Sequence, residues 1–151
     1  IIQLHQAGIM TTLAETASIN IKHDRVENKI AGIMMFNNIF SSGGHASPKV
    51  VEWIYQFVPV ELMIQMVQSE NSEKSILIQS AALNFLVYSC ESSSIAQSLL
   101  SFVRKLCEVF VKTKRTEFKS QLSTFLKLLA LVNGSKGKAK IIDALLEATL
   151  N

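Results

Sequence analysis

Signals that start a helix recur along this chain at near-even intervals. They fall at roughly residues 24, 48, 72, 94, 116 and 138, which are 24, 24, 22, 22 and 22 apart. Each interval holds one helix with a short loop, and residues 3–18 form a further helix ahead of the first signal. The signals are chemical. Asp24 stands three residues before Glu27, the spacing of a capping box. Ser47 precedes Pro48, an N-cap followed by a proline at the first helical position, where a missing N–H costs nothing. Ser94 and Gln97 repeat the capping-box spacing, and Thr113 or Thr116 caps the next helix. Gly134 in "NGSKGK" is placed to end that helix as its C′ residue. Pro59 interrupts the pattern after Pro48 and implies a kink, or two helices of about ten residues each, because proline in a helix interior loses a hydrogen bond and clashes.

Between the breaks, apolar residues follow the helical period. Val26, Ile30, Ile33, Met34 and Phe40 lie near one face; Leu99, Phe102, Leu106 and Phe110 form a stripe; Phe118, Leu122, Phe125, Leu126 and Leu129 form another. Residues 73–90 are apolar around most of the circumference, as in a helix packed on several sides. Two prolines and six glycines are too few for the turns of a sandwich or barrel. With 48% hydrophobic residues, 18% charged residues and a mean hydropathy of +0.27, the chain is not disordered. The longest uncharged stretches, 30–48 and 75–90, contain turn-forming or polar residues and fall short of the ~20 apolar residues of a membrane span, so no insertion is expected. The first residues lack the charged region of a signal peptide. Cys90 and Cys107 sit in apolar helical contexts and read as reduced core thiols, which favours the cytosol or the nucleus.

Two successive intervals make a helical hairpin of 44–48 residues. Sliding the chain by 45 aligns 74–87 with 119–132, and six of the fourteen positions coincide, among them Leu77 with Leu122 and Leu83 with Leu128. This period is that of armadillo and HEAT arrays, about 40–47 residues. The segment 75–90 resembles the last, inner helix of an armadillo or HEAT repeat, with its small pair Ala81-Ala82 followed by Leu83, Leu86 and Val87. Pro48 and Pro59 resemble the prolines that bend helices in such repeats, and Asn84 fits an inner-face asparagine. The resemblance implies an α-solenoid that binds protein segments along a concave surface. The expected fold is therefore all-α: an armadillo/HEAT-like stack of about seven helices in antiparallel hairpins, one domain over 1–151, cut from a longer array. A compact multi-helix bundle is the alternative. High apolar content fits the array, because each hairpin buries its apolar face only against its neighbours.

No catalytic signature emerges. His5, His23 and His45 lack metal-ligand spacing. "SSGGHAS" (41–47) lacks the spacing and Lys-Ser/Thr ending of a P-loop and reads as an interhelical loop. Neither cysteine sits where a Cys-His nucleophile would. The chain is read as a non-enzyme without cofactor, metal or small-molecule substrate.

Charge is the more informative lead. Residues 1–103 carry −3, residues 104–140 carry +8, and 141–151 carry −2. Arg104, Lys105, Lys112, Lys114, Arg115 and Lys119 begin the basic stretch, which continues through Lys127, Lys136, Lys138 and Lys140. The ordinary reading is a solvated face, since Glu108 stands four residues from both Arg104 and Lys112. The functional reading is a surface for an acidic protein segment, with nucleic acid as the alternative. The aromatic residues among these lysines, Phe110, Phe118 and Phe125, belong to the apolar stripes rather than to a face that stacks bases. Trp53 and Phe57, i and i+4, read as core, which leaves Tyr55 as the exposed ring and a candidate binding anchor.

Overall fold

The computed structural model describes residues 2–42, 47–69 and 73–150, and every regular element among them is helical. The chain runs α1 (Ile2–Ile21), α2 (Val26–Ser41), α3 (Pro48–Ile54), α4 (Val60–Val67), α5 (Glu73–Ser89), α6 (Ser93–Leu99), a 3-10 turn (Leu100–Phe102), α7 (Val103–Lys112) and α8 (Thr116–Leu150). The Gly43-Gly44 turn with His45, and the start signal at Ser72, lie outside the described residues.

The expected start at 48 forms as read, and Pro59 divides that segment into two helices. Ser47 Oγ accepts the Val50 amide at 3.2 Å and Pro48 opens α3. Pro59 separates α3 from α4 and itself sits at the N-cap of α4. Two others shift. The N-cap of α2 is Arg25, one residue past Asp24 and without a side-chain cap, so the Asp24–Glu27 capping box does not form; the Arg25 amide donates to His23 Nδ1 at 3.1 Å. The N-cap of α6 is Ser92, which accepts the Ile95 amide at 3.4 Å; Ser92 and Ser94 both donate to Glu52 Oε1 at 3.1 Å across to α3.

The interval 93–112 holds two helices rather than one. Ser98 donates to the Ile95 carbonyl at 2.7 Å and Ser101 to the Ser98 carbonyl at 2.8 Å. These local bonds compete with the main-chain pattern and accompany the tighter 3-10 turn. The break at 133–138 is sharper than expected. Gly134 alone is non-helical, with φ 70° and ψ −157°, and the helix resumes at once. That backbone region is essentially restricted to glycine. α8 therefore has a first arm, 116–133, and a second arm, 135–150. Gly137 makes the elbow close: a Cβ there would lie 2.5 Å from Asn133 Cβ.

The packing order follows the chain. α1 packs on α2, α2 on α5, α5 on α4 and α8, and α7 on α8. α3 touches α6 and α4 touches α7. α1 and α2 approach closely through Ala14, Ala17 and Gly32; a Cβ on Gly32 would lie 2.7 Å from the Ala17 carbonyl oxygen. Between α2, α3 and α5 the core is aromatic. Phe85 is its hub, with ring centroids 5.9 Å from Phe36, 5.3 Å from Phe40 and 5.4 Å from Tyr55. The second arm of α8 runs along α7 in the same sense. Gly137 lies near Leu100, and Glu147 pairs with Arg104 at 3.5 Å.

Candidate interaction surfaces

The helices α2, α5 and the first arm of α8 form a row, since α5 packs against both of the others. Polar side chains join them across the seams. Asn37 Nδ2 donates to the Ala81 carbonyl at 3.2 Å, and Ser80 Oγ donates to Gln121 Oε1 at 3.5 Å. On its exposed side the row carries Met34 (53% exposed), Leu77 (62%) and Leu131 (79%). Asn38, Asn84, Thr124 and Lys127 are exposed on the same three helices. Three large apolar side chains thus stand among mostly uncharged polar ones. Asn84, expected on an inner face, is exposed on the middle helix of this row.

Tyr55 is not the protruding ring expected of it. α3 ends at Ile54, so Tyr55 is its C-cap and the helical phase that turned it outward stops there. The ring is half-buried, tilted against Phe85, and its hydroxyl donates to Ser89 Oγ at 2.7 Å. Burial pushes its pKa well above the ordinary phenol range. Trp53 and Phe57 stay in edge contact at 5.0 Å and are half-buried.

The basic residues divide into two kinds. Arg104 pairs with Glu147 at 3.5 Å and with Glu108 at 3.9 Å, both across exposed surface. Arg115 donates to Gln79 Oε1 and lies 4.9 Å over the Phe118 ring. Gln79 Nε2 in turn donates to the carbonyls of Val67 at 2.9 Å and Ser69 at 2.7 Å. This buried network ties the start of α8 to the end of α4 through α5. Lys119 Nζ lies 5.0 Å over the Phe110 ring. Lys105, Lys112 and Lys114 are exposed. Between α7 and the second arm of α8 is a cavity of about 160 Å³, lined by Arg104, Glu108, Val111, Lys112, Glu147 and Ala148. Of the six candidate basic residues, Arg104, Arg115 and Lys119 therefore have partners within the molecule.

Several polar residues that shape the molecule do not stand out in the sequence as partners. Gln79, Ser92 with Glu52, and Asn133, whose Nδ2 donates to the Ala96 carbonyl at 3.1 Å, all bond across helices. The signal that could have found Gln79 is its position as a polar residue inside an otherwise apolar helix, where a partner is obligatory.

Cys90 and Cys107 are buried free thiols. Burial pushes Cys90 up to about 12, with Glu91 adding to the effect, and pushes Cys107 up to about 11. Both stay protonated at neutral pH, which withholds the thiolate that nucleophilic chemistry requires. Among the described residues, no group of three or more His, Cys, Asp and Glu is placed to hold a metal ion. No described helix is long and apolar enough to cross a membrane. Comparison with protein-family models, curated proteins and solved structures finds no match to this chain.

Proposed function

We propose that this chain is an armadillo/HEAT-like stack of helical hairpins that binds a protein segment along the row of α2, α5 and the first arm of α8. The pairing of elements supports the stack. α1 with α2, α3–α4 with α5, and α6–α7 with α8 are successive hairpins. Their second helices adjoin in chain order, and α3–α4 also touches α6–α7. The observation that carries the binding role is the exposed side of the row, where Met34, Leu77 and Leu131 are more than half accessible around Asn84. Apolar anchors among neutral polar groups suit a peptide held by side-chain burial and amide hydrogen bonds. A protein ligand is preferred to nucleic acid because Arg104, Arg115 and Lys119 already have partners within the molecule.

Panning a library of unstructured peptides on the chain tests the proposal. Peptides should be recovered whose affinity drops roughly tenfold or more on Leu77→Glu or Asn84→Arg and is unchanged on Lys112→Ala. Recovery of no peptide sensitive to either row variant would refute it. So would binding of single-stranded nucleic acid that is tighter than any peptide and falls steeply with added salt.

A further inference from the structure

The two arms of α8 are held by unequal amounts of apolar contact. The first arm buries Phe118, Leu122, Phe125, Leu126 and Leu129. The second arm buries Gly137, Ile141 and Ala144, and half-buries Leu145 and Ala148. Ile141 is the one large side chain in it that is buried outright. Ile142, Leu146 and Leu150 are 47%, 57% and 85% exposed, so most of their surface adds nothing to docking. The seam with α7 is also loosely closed. It holds a cavity of about 160 Å³, lined by Arg104, Glu108 and Val111 on one side and by Glu147 and Ala148 on the other. Arg104 pairs with Glu147 at 3.5 Å, but both side chains are more than half exposed, and such a pair holds little.

The join between the arms has the parts of a hinge. Gly134, with φ 70° and ψ −157°, has nothing within 4 Å of the place an added Cβ would take, so no side chain packs on it. One residue earlier, Asn133 Nδ2 donates to the Ala96 carbonyl at 3.1 Å and to the Leu129 carbonyl at 2.9 Å. These bonds fasten the end of the first arm to α6. A residue free to absorb a backbone rotation thus follows directly on a fixed support.

We infer that the second arm of α8 is a strap that opens from α7 about Gly134 as a unit, while the rest of the molecule stays folded, and so gates access to Cys107. Segments with few buried apolar contacts open at the lowest cost. Opening uncovers the side of α7 and its preceding turn that lies beneath the arm. Leu100, 7% exposed, adjoins Gly137 there. Cys107, 0% exposed, stands three residues after Arg104 and four before Val111, on the side of α7 that lines the seam. Its thiol is shielded when the strap is closed and accessible when it is open. Cys90, just past α5 and 6% exposed, is not on α7 and serves as the internal reference. The strap does not depend on the peptide-binding row.

The test combines native-state hydrogen exchange with thiol labelling by a chromogenic aryl disulfide, on the whole chain at neutral pH without denaturant. The amides of 139–146 are expected to share a common protection factor, at least about tenfold below that of α5 and the first arm. Cys107 should react before Cys90, although exposure in the closed structure ranks them the other way. Ile141→Ala should speed the labelling of Cys107 at least about tenfold and leave the rate of Cys90 unchanged. Equal protection of the two arms would overturn the inference, as would a Cys107 no faster than Cys90. Protection that falls steadily from Gly134 towards Leu150 would also overturn it, since that is fraying of a helix end and not the opening of a unit. Equal acceleration of both cysteines by Ile141→Ala would show that the arm opens only when the whole molecule unfolds, and would refute the strap.

Discussion

Arg115 shows how a residue's role depends on what it touches. In the sequence it is one of several basic residues after Arg104. In the fold it satisfies Gln79, a 6%-exposed side chain that also bonds the carbonyls of Val67 and Ser69. Arg115→Ala leaves the Gln79 oxygen without that donor, a loss of about 1–3 kcal/mol for a buried polar group. The neighbouring Lys114 is exposed, and Lys114→Ala should change stability by no more than about 0.5 kcal/mol. Urea unfolding of the two variants distinguishes an arginine that satisfies a buried partner from a solvated lysine. Tyr55 teaches the same lesson in reverse. Its outward position follows from Trp53 and Phe57 only if one helix spans all three residues. α3 stops at Ile54, and the Gln56 amide bonds the Trp53 carbonyl in a tightened turn. Helical periodicity gives direction only while the helix lasts, and the point where it ends depends on tertiary contacts with Phe85 and Ser89.

At the scale of elements, the even spacing is legible because capping chemistry is local. Ser47 and Pro48 act within one turn of chain, so their effect can be read from adjacent residues. Ser94 has the spacing of a cap but does not serve as one: α6 already begins at Ser93 with Ser92 as its N-cap, and both Ser92 and Ser94 donate to Glu52, some forty residues away. Asp24 fails as a cap because α2 starts one residue later, with Arg25 at the N-cap position. Gly134 is recognisable as a stop, but the immediate restart after it is not, since that depends on how the second arm meets α7. The glycine is required by its φ of 70° with ψ near −157°. Gly134→Ala should lower stability by about 1–3 kcal/mol. Gly8, inside α1 with nothing within 4 Å of the place an added Cβ would take, should behave oppositely. Gly8→Ala is expected to raise stability by up to about 1 kcal/mol through helix propensity. Thermal melts of the pair check both signs.

Across the whole molecule, the all-helical class follows from composition and periodicity, and the fold is all-helical over the described residues. The candidate surface is less legible. Asn84 is found through its resemblance to an inner-face residue, whereas Met34 and Leu131 look like core residues in any apolar pattern. Periodicity places Met34 on the buried stripe of its helix, yet it is 53% exposed. Which side of an amphipathic helix remains open is decided by its neighbours, and those come from sequence-distant segments. The proposed function rests on that open side of α2, α5 and the first arm of α8. Hydroxyl-radical footprinting of the chain with and without a selected peptide tests it directly. The expected result is reduced oxidation of Met34, Leu77 and Leu131, with Ile19 and Leu146 unchanged. Protection of Ile19 or Leu146 with Met34, Leu77 and Leu131 unaffected would contradict the proposal.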